Sequence, residues 1–485
     1  LDSRFTSSPT PLKLAAILAA ALCTVIALIA LHLLDVTDGR RARRFLPAHW
    51  WRFGLADITI LGTLVGWHLF GANTSDDGYI LSMARTVERS GYLANYYRWF
   101  GVPEAPFGWS YEVLGWMSRI SDASPWIRLP TLLAGIVCWM VISREVLPRL
   151  GARIRDNKVA LWTAGLVFLT FWLPYDNGLR PEPLIAAGAL LTWCSIERAI
   201  ATARLLPAAV AVLVAAFSLA AGPTGLICIA ALIAGSRPVL QIIVKRAGGP
   251  APGAVLRYAS LLAPGLAAGT LVLVVIFADQ TLSTVLEATR VRTIVGPNVA
   301  WFDERTRWDS LLMLSPDGSL ARRFGVLLML LCLLVCVLQV LRKGRIPGTS
   351  RGPSVRILGI VFASLLLMMF TPTKWTHHFG VYAGLAGSLA ALAAVAVSTN
   401  GIRAPRNRAL FAAAVLFLLA ITFTGSNGWW YVSSYGVPWW DKAPLVAGKG
   451  FSTLFLGLSG VALLVALWLH YRAGLSTTSR SRAGS

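Results

Sequence analysis

Charged residues are scarce in this chain, and acidic residues are the scarcest. Only 14% of the 485 residues are charged, with 44 Lys and Arg residues against 22 Asp and Glu residues. Apolar side chains make up 56% of the chain, which is more than an ordinary soluble protein carries. The composition therefore excludes a soluble enzyme and indicates a helical protein that crosses a membrane many times.

Sequence signatures of several common chemistries are also missing. The chain has no Walker loop, dinucleotide fingerprint, zinc-ligand spacing or nucleophile elbow in a fitting context. The six cysteines all fall in apolar runs, which predicts no disulfide, and the shared helix face of Cys332 and Cys336 favours packing over metal binding. We expect no metal site and no required cofactor, while a divalent cation near the carboxylates stays open.

Thirteen apolar runs have roughly the length that a helix needs to cross a bilayer. They predict an all-α polytopic integral membrane protein with about 13 transmembrane helices. The runs lie at residues 12–34, 53–70, 126–143, 159–174, 183–197, 206–221, 225–244, 257–278, 324–341, 355–371, 379–398, 408–424 and 452–470.

The distribution of charge between the predicted loops sets the orientation. If the basic run at 40–44 is cytoplasmic, as the positive-inside rule requires, most basic residues fall inside and most acids outside. The net charge of +22 then reflects topology and contact with anionic lipid, not nucleic-acid binding. We expect a multi-pass plasma-membrane protein with an external amino end. The lack of a signal peptide and the start at Leu1 predict that a preceding segment is missing.

All the long loops lie on the outer side in this threading, and loops of such length are typically functional. We therefore expect the active site on the outer (periplasmic) face. The segment that carries Arg292, Asn298 and Arg307 mixes charge with tryptophan, which fits a polar acceptor or a solvated lid equally well. The outer loops are 71–125, 279–323 and 425–451, with short outer turns at 175–182, 222–224 and 371–378.

Two adjacent acids directly follow the second apolar run. Ser75 is positioned to cap a helix whose first turn holds Asp76 and Asp77. Asp76, Tyr79 and Met83 are spaced so that they share one face of this helix. Paired carboxylates at a membrane boundary are costly unless they serve a site, and an acid-capped interfacial helix is the simpler alternative.

Further candidates lie in the neighbouring outer segments. Glu104 stands between two prolines in an aromatic-rich loop, a composition that suits either a membrane-interface belt or a surface for stacking sugars. The next outer turn carries Asn177, Arg180 and Glu182, and Arg180 is suited to bidentate phosphate binding. An ion pair of Arg180 with Asp176 or Glu182 is an equal alternative.

A cationic turn begins another predicted helix. It carries Lys374, Trp375, His377 and His378. Lysine and histidine at a helix start hold anions with help from free backbone amides. The two histidines can instead bind metal or cap the helix, but contact with an anion or substrate is the favoured interpretation.

Several blocks of this sequence together resemble one known family. The chain is similar, over essentially its whole length, to the Emb arabinosyltransferases of mycobacteria and their relatives, which are the targets of ethambutol. The blocks are Thr-Ser-Asp-Asp-Gly-Tyr-Ile-Leu at 74–81, Asn-Tyr-Tyr-Arg-Trp-Phe-Gly at 95–101, Pro-Phe-Gly-Trp at 106–109, Arg-Leu-Pro at 128–130, Ser-Arg-Glu-Val-Leu-Pro-Arg-Leu-Gly at 143–151, Asn-Gly-Leu-Arg-Pro-Glu at 177–182 and Trp-Thr-His-His at 375–378.

The resemblance implies a glycosyltransferase of the GT-C type, with residues 1–485 as its transmembrane domain. Such an enzyme moves arabinofuranose from decaprenyl-phosphate arabinose to the arabinan of arabinogalactan or lipoarabinomannan. Family members have 15 spans and two carbohydrate-binding modules, so one span and one module are expected before Leu1 and one of each after Ser485. The expected partners are the lipid-linked donor, the arabinan acceptor, membrane lipid and a second copy or a paralogue as dimer partner, without nucleic acid.

The resemblance extends to individual positions. Asp76 matches the catalytic carboxylate, and the positions around the ethambutol site are matched by Tyr79, Met83, Glu104, Trp375 and His377. A lipid-phosphate donor needs a base for the acceptor hydroxyl, cations for the leaving phosphate and a tunnel for the lipid tail. We expect Asp76 to be the general base of an inverting displacement. The expected substrate-binding residues are Asp77, Tyr79, Met83, Glu104, Asn177, Arg180, Glu182, Lys374, Trp375, His377 and His378.

Two other functions fit the same composition. A polytopic lipid or solute transporter places ionisable groups near the membrane midplane, whereas these spans are almost free of charge apart from Asp57. A non-catalytic partner subunit is the other alternative, because the chain resembles members of paired assemblies. Charge gathered on the outer face favours a surface enzyme.

Overall fold

The computed structural model describes most of the chain. The described residues are 5, 7–40, 46–47, 50–248, 252–398, 404–429 and 434–482, the last ten of them by backbone alone. Several residues used in the sequence argument, namely Arg41, Arg43, Arg44, Arg403, Trp430 and Tyr431, lie outside these ranges.

Helices dominate the described part of the chain. A short antiparallel ribbon, β1 (Leu445–Val446) and β2 (Lys449–Gly450), lies close to the last helix. The α-helices are α1 (Pro11–Thr37), α2 (Leu55–Phe70), α3 (Asp77–Ser90), α4 (Tyr96–Trp99), α5 (Trp109–Ser118), α6 (Ser124–Ile127), α7 (Leu129–Val141), α8 (Leu147–Arg149), α9 (Ala152–Arg155), α10 (Lys158–Tyr175), α11 (Glu182–Thr202), α12 (Leu206–Ala221), α13 (Leu226–Ala247), α14 (Ala254–Thr270), α15 (Val272–Ile276), α16 (Leu282–Val295), α17 (Arg305–Leu312), α18 (Leu320–Lys343), α19 (Arg351–Leu367), α20 (Ala383–Ala396), α21 (Pro405–Thr422) and α22 (Phe451–Arg482).

Short 3₁₀-helical and π-helical turns connect or extend these α-helices. A π-helical turn joins α7 to α8, so that Leu129–Arg149 forms one continuous segment. The 3₁₀ turns are Pro223–Gly225, Trp301–Asp303, Pro316–Gly318, Met368–Phe370 and Thr376–Tyr382.

The predicted spans are all found as helices. Eleven helical segments of the described residues are long and apolar enough to cross a membrane. The shorter apolar helices α2 and α12 coincide with the two remaining predicted spans. The predicted boundary between the spans at 206–221 and 225–244 is found between α12 and α13, because Gly222 and Pro223 interrupt the helix there. The fold class, an all-α polytopic membrane protein, is confirmed.

The segment around α20 forms the centre of the bundle. Nearly all of its side chains are buried, and it packs mainly against α10. A β-carbon at Gly387 would lie 2.7 Å from the carbonyl oxygen of Ala164, so only glycine permits this close helix contact. The first helix α1 and the pair α21 and α22 expose most of their apolar side chains, as lipid-facing helices do.

The structure gathers the predicted outer loops at one end of the bundle and the predicted inner loops at the other. A polar cavity of about 360 Å³ is lined by residues of five of the six predicted outer segments, and we call this the site end. A larger cavity of about 1060 Å³ lies at the opposite end. Its walls contain arginines of the predicted inner segments, Arg52, Arg144, Arg149, Arg155, Arg198 and Arg204. Residues of five predicted outer segments and residues of several predicted inner segments thus line separate cavities.

Candidate active site

The cavity at the site end brings together most of the residues that the sequence singled out. They come from loops that are distant in sequence and meet only because the spans between them pack side by side. The predicted site residues that line the cavity are Asp76, Tyr79, Glu104, Arg180, Glu182, Trp375, His377 and His378. Asp77, Met83, Asn177 and Lys374 do not line it.

Asp76 and Arg180 form an ion pair at the wall of this cavity. Nη2 of Arg180 donates a hydrogen bond to Oδ2 of Asp76. Burial lowers the pKa of Arg180, but attraction to Asp76 and Glu182 outweighs burial and leaves the pKa raised. Direct pairing of Arg180 with Asp176 or Glu182, the alternative from the sequence, is not what the structure shows. The sequence did not predict that the candidate base and the candidate phosphate ligand would bind each other.

Part of the Arg180 side chain is left without a protein partner. Its Nε and Nη1 atoms are buried and have no hydrogen-bond partner among the described residues. Buried N–H groups without a partner are costly, so they mark a place where a ligand is expected to accept hydrogen bonds. The guanidinium thus has two free donors beside the cavity.

Asp77 acts as a clamp behind the cavity. Its carboxylate accepts hydrogen bonds from the backbone and hydroxyl of Thr74 and, at 2.8 Å, from the backbone nitrogen of Leu179. Burial raises the pKa of Asp77, and these hydrogen bonds oppose the rise. The predicted cap by Ser75 is wrong: Asp76 takes the N-cap position of α3 without a side-chain cap, because Asp77 makes the local hydrogen bonds instead.

Asn177 and Met83 also support the site from outside the cavity. Nδ2 of Asn177 donates to the carbonyl oxygens of Trp67 and Ala72, which ties the Arg180 turn to the segment before α3. Met83 is 1% exposed and packs in a small apolar core between α3 and α5 with Leu114. Both residues therefore contribute structure rather than substrate contact.

Lys374 is turned away from the cavity. Its Nζ donates at 2.7 Å to the carbonyl oxygen of Thr371 and also to that of Met369, and it lies 3.6 Å from Glu304. Burial lowers the pKa of Lys374, and Glu304 acts in the opposite direction. The structure therefore does not support the prediction that Lys374 contacts an anion or substrate in this cavity.

The opposite wall of the cavity is built around Glu104. Asn95 donates to its carboxylate at 2.8 Å, and the guanidinium groups of Arg98 and Arg292 both lie near the aromatic ring of Trp99, at 5.1 and 5.0 Å from its centroid. Burial raises the pKa of Glu104, while Arg292 is the strongest of the groups that lower it. Nη1 of Arg98 also donates to the hydroxyl of Tyr79 at 3.2 Å.

Sequence reasoning did not select Arg98 or Arg292 for the site. Arg98 stood within an aromatic block, and its position beside Tyr79 is set by the turn that returns the chain from α3. Arg292 lies on α16, and its Nη2 donates to the carbonyl oxygens of Pro103 and Ala105. The spacing of residues along the sequence does not predict this contact, since Arg292 and the segment at 103–105 belong to two separate outer loops.

Three ligand-type side chains lie close together beside Arg180. The donor atoms of Glu182, His377 and His378 lie within 4.8 Å of one another. However, Nδ1 of His378 faces an N–H group of Arg307 at 2.6 Å and is therefore not open to a metal ion. Arg180 and Arg322 place further positive charge nearby, which opposes a divalent cation at this set.

A second, apolar cavity adjoins the polar one. It has a volume of about 600 Å³ and shares Ala221 with the polar cavity. Leu133, Val137 and Leu191 line it and are each at least one-third exposed, which indicates that it opens between the spans. An apolar groove of this kind at membrane depth suits a hydrocarbon chain.

Comparison with known proteins gives a consistent result. Residues 8–472 match a family described as mycobacterial cell wall arabinan synthesis protein. A probable arabinosyltransferase C of Mycolicibacterium smegmatis is 56% identical over 97% of this chain and 43% of its own length. A probable arabinosyltransferase B of Mycobacterium avium is 53% identical over 97% of this chain and 44% of its own length.

A solved structure supports the fold as well. The cryo-EM structure of arabinosyltransferase EmbB from Mycobacterium smegmatis superposes with a TM-score of 0.87 at 49% identity. The alignment covers 98% of this chain and 43% of that structure. The chain thus spans less than half the length of the relatives that it matches.

Proposed function

Because the chain belongs to the family of mycobacterial cell wall arabinan synthesis proteins, we propose that it forms the membrane-embedded active site of an arabinosyltransferase. The proposed donor is decaprenyl-phosphate arabinose, and the proposed acceptor is the arabinan of arabinogalactan or lipoarabinomannan. The site end then faces the outside of the plasma membrane, opposite the arginine-rich end, as the positive-inside rule requires.

The observation that carries this proposal is the Asp76–Arg180 pair at the wall of a polar cavity that adjoins an apolar one. One carboxylate and one arginine with free N–H groups supply the two functions that transfer from a lipid phosphate requires. The carboxylate takes a proton from the acceptor, and the guanidinium receives the charge that develops on the phosphate.

The proposed reaction is a single displacement at C1 of the arabinofuranose. The acceptor hydroxyl oxygen forms the new bond to C1 while the bond from C1 to the phosphate oxygen breaks. The bonding electrons leave with the polyprenyl phosphate, and the hydroxyl proton moves to Asp76. A β-linked donor gives an α-linked product by this route, with no covalent intermediate on the enzyme.

The donor half-site contains Arg180 and the histidine turn. Arg180, whose Nε and Nη1 have no hydrogen-bond partner among the described residues, lines the cavity together with His377 and His378. Arg180 is buried, so its charge-assisted hydrogen bonds to phosphate are stronger there than in solution. The apolar cavity next to Ala221 is proposed to hold the start of the lipid tail.

The acceptor half-site is the wall around Glu104. Glu104, Arg98 and Tyr79 present charged and hydroxyl groups to the same cavity, and Trp99 adds an aromatic ring. Sugar hydroxyls bind to such polar groups, and the C–H face of a sugar packs on an aromatic ring.

The positions of buried charges favour this enzyme over a transporter. Buried charged side chains in the spans lie near helix ends, as Asp57 does at the start of α2 and Glu197 near the end of α11. Transport pathways instead place ionisable groups near the middle of the membrane. The proposal also includes a dimer partner, a second copy or a paralogue, which the mass of the purified full-length protein would reveal.

The direct test uses the full-length protein in lipid nanodiscs with radiolabelled decaprenyl-phosphate arabinose and an arabinan oligosaccharide. We expect label to appear in the oligosaccharide with an α linkage by NMR, and only when the oligosaccharide is present. Protein in sealed vesicles that moves the lipid donor across the membrane without forming product would instead show a transporter. Product with a β linkage would rule out the single displacement.

A further inference from the structure

The geometry points to Arg307 as a positioning residue that fixes His378 as a hydrogen-bond donor to an anion in the cavity. This inference rests on the proposed function, because the anion is taken to be the phosphate of the polyprenyl phosphate. Arg307 itself does not line the cavity, and it acts through His378.

Arg307 is completely buried, in contrast to the other arginine of its helix. It lies on α17 with no exposed surface, whereas the side chain of Arg305, two residues earlier, is 87% exposed. Glu304 accepts from Nε at 2.7 Å and from Nη2 at 3.3 Å, so the positive charge has a nearby counter-charge. The guanidinium is therefore a permanent part of this structure and not a free cation for substrate.

The remaining N–H groups of Arg307 organise the turn that precedes α20. Nη1 donates to the carbonyl oxygen of Trp375 at 2.9 Å, and Nη2 donates to the hydroxyl of Thr371 at 2.8 Å. The carbonyl oxygens of Met368 and Thr373 accept longer bonds from Nη2. Arg307, on α17, thus sets the path of the segment that carries Trp375 and His378.

The contact with His378 determines where the imidazole proton resides. Nη1 of Arg307 lies 2.6 Å from Nδ1 of His378, and a guanidinium has only N–H groups and no lone pair to offer. Nδ1 must therefore be the acceptor, which leaves the ring proton on Nε2. A proton on Nδ1 would face the N–H group of Arg307.

Nε2–H is consequently available to a ligand. Its contact with the hydroxyl of Thr373, at 3.5 Å, is at the limit for a hydrogen bond, and His378 lines the cavity beside His377. An N–H donor in this position complements the free donors of Arg180, and an anion is the ligand that accepts from both. The neighbouring ring of His377 contacts His378 edge to face at 4.5 Å, which limits rotation of the imidazole.

The test measures binding of a radiolabelled polyprenyl monophosphate to the full-length protein, with arabinose transfer followed in parallel. Glutamine can present a donor near the position of Nε2, whereas asparagine keeps only an acceptor near Nδ1. We expect His378→Asn to weaken binding about tenfold, the usual cost of one hydrogen bond to a charged group, and His378→Gln to weaken it less. Equal losses in the two variants would overturn the inference.

Arg307→Met is expected to weaken binding about tenfold as well, because His378 then loses its fixed orientation. If Arg307 acts through His378, the double variant Arg307→Met/His378→Asn binds about as weakly as either single variant, and not a hundredfold more weakly than the native protein. Additive losses would mean a merely structural role and would overturn the inference. Arg305→Gln is the matched control and should bind like the native protein.

The outcomes separate this inference from the proposed function. Should Arg307→Met fail to fold, the comparison of His378→Gln with His378→Asn decides alone. Native protein that binds the polyprenyl phosphate with the expected pattern but transfers no arabinose would keep the inference and refute the function. Transfer without the expected pattern, or no binding of polyprenyl phosphate at all, would refute the inference.

Discussion

The backbone nitrogen of Leu179 donates a hydrogen bond of 2.8 Å to the carboxylate of Asp77 and so joins the turn before α11 to the start of α3. Each of these two segments carries one member of the central ion pair, Asp76 on one side and Arg180 on the other. The distance between the base and the guanidinium is therefore set by a clamp behind the cavity. Of these two adjacent acids, Asp77 joins the two segments, whereas Asp76 is the proposed base.

Removing the clamp should destabilise the site end. Asp77→Ala leaves two backbone N–H groups and one hydroxyl without their acceptor, which costs about 1–3 kcal/mol for each group that stays buried. We expect a thermal unfolding midpoint several degrees below that of the native protein, and a smaller drop for Asp77→Asn, which keeps one acceptor oxygen. The exposed acid Asp122 provides the control variant Asp122→Asn. An unchanged midpoint for Asp77→Ala would contradict the clamp.

A methyl group at position 178 should disturb the same clamp by sterics. A β-carbon on Gly178 would lie 2.3 Å from the hydroxyl oxygen of Thr74 and 2.6 Å from Oδ1 of Asp77. Gly178→Ala should therefore shift Asp76 relative to Arg180 and lower transfer about a hundredfold, as misplacement by about 1 Å does. Gly62→Ala is the matched control, because its added methyl meets nothing within 4 Å. Full activity of Gly178→Ala would show that the ion pair tolerates such movement.

Loss of the central guanidinium should affect the donor more than the acceptor. Arg180→Gln removes the partner of Asp76 and the donors assigned to the phosphate, so we expect kcat to fall about 10²–10³-fold. Steady-state kinetics with donor and acceptor varied separately should show a raised donor KM and little change in acceptor KM. Arg85→Gln, at an exposed ion pair, controls for loss of charge on this face. A defect confined to the acceptor KM would mean that the two half-sites are reversed.

The pH dependence of stability should contain a contribution from Glu112. Burial and the nearby charge of Asp279 raise the pKa of Glu112 to about 7, from an ordinary value near 4.5. The folded protein therefore holds a proton that the unfolded chain releases between these values. This contribution is fully present below about pH 4.5 and is lost as the pH rises through 7.

The corresponding measurement compares thermal midpoints of the native protein and Glu112→Gln between pH 5 and pH 8. Glutamine keeps the shape of the protonated acid, so the variant should lose less stability than the native protein as the pH rises. The side chain of Glu88 is 69% exposed, so Glu88→Gln should follow the native curve. A constant difference between Glu112→Gln and native protein across this range would exclude titration of Glu112.

The sequence predicted the spans well because each span is a local, continuous apolar run, and the bilayer makes the same demand on every helix. Most of the predicted site residues also line the cavity, since charged and aromatic residues outside the spans had few structural reasons to be there. The pairing of Asp76 with Arg180 was not predictable, because 104 residues separate them and helix packing alone brings them together. The buried Arg307 lies two residues from the exposed Arg305, and local sequence does not show which of the two is buried.

Lys374 was predicted to contact substrate, but it does not line the cavity. A lysine at a helix start is suited to anion binding, but a turn also exposes carbonyl oxygens, and here those of Met369 and Thr371 bind the ammonium group. Glu304, from a separate loop, adds the counter-charge that retains Lys374 in this position. The sequence indicated that Lys374 would bind an acceptor group, but only the fold shows that the acceptors are backbone carbonyls and Glu304.

Asp76 is the proposed base for transfer, and the transfer rate of Asp76→Asn in the full-length protein measures this function. Asparagine keeps the shape of the side chain but cannot accept the proton, so turnover should fall about 10²–10⁴-fold. The thermal midpoint and the binding of polyprenyl monophosphate should stay close to native values, and Asp122→Asn should retain native turnover. Native turnover in Asp76→Asn would show that Asp76 is not the base, which would then be another residue or a residue of a partner chain.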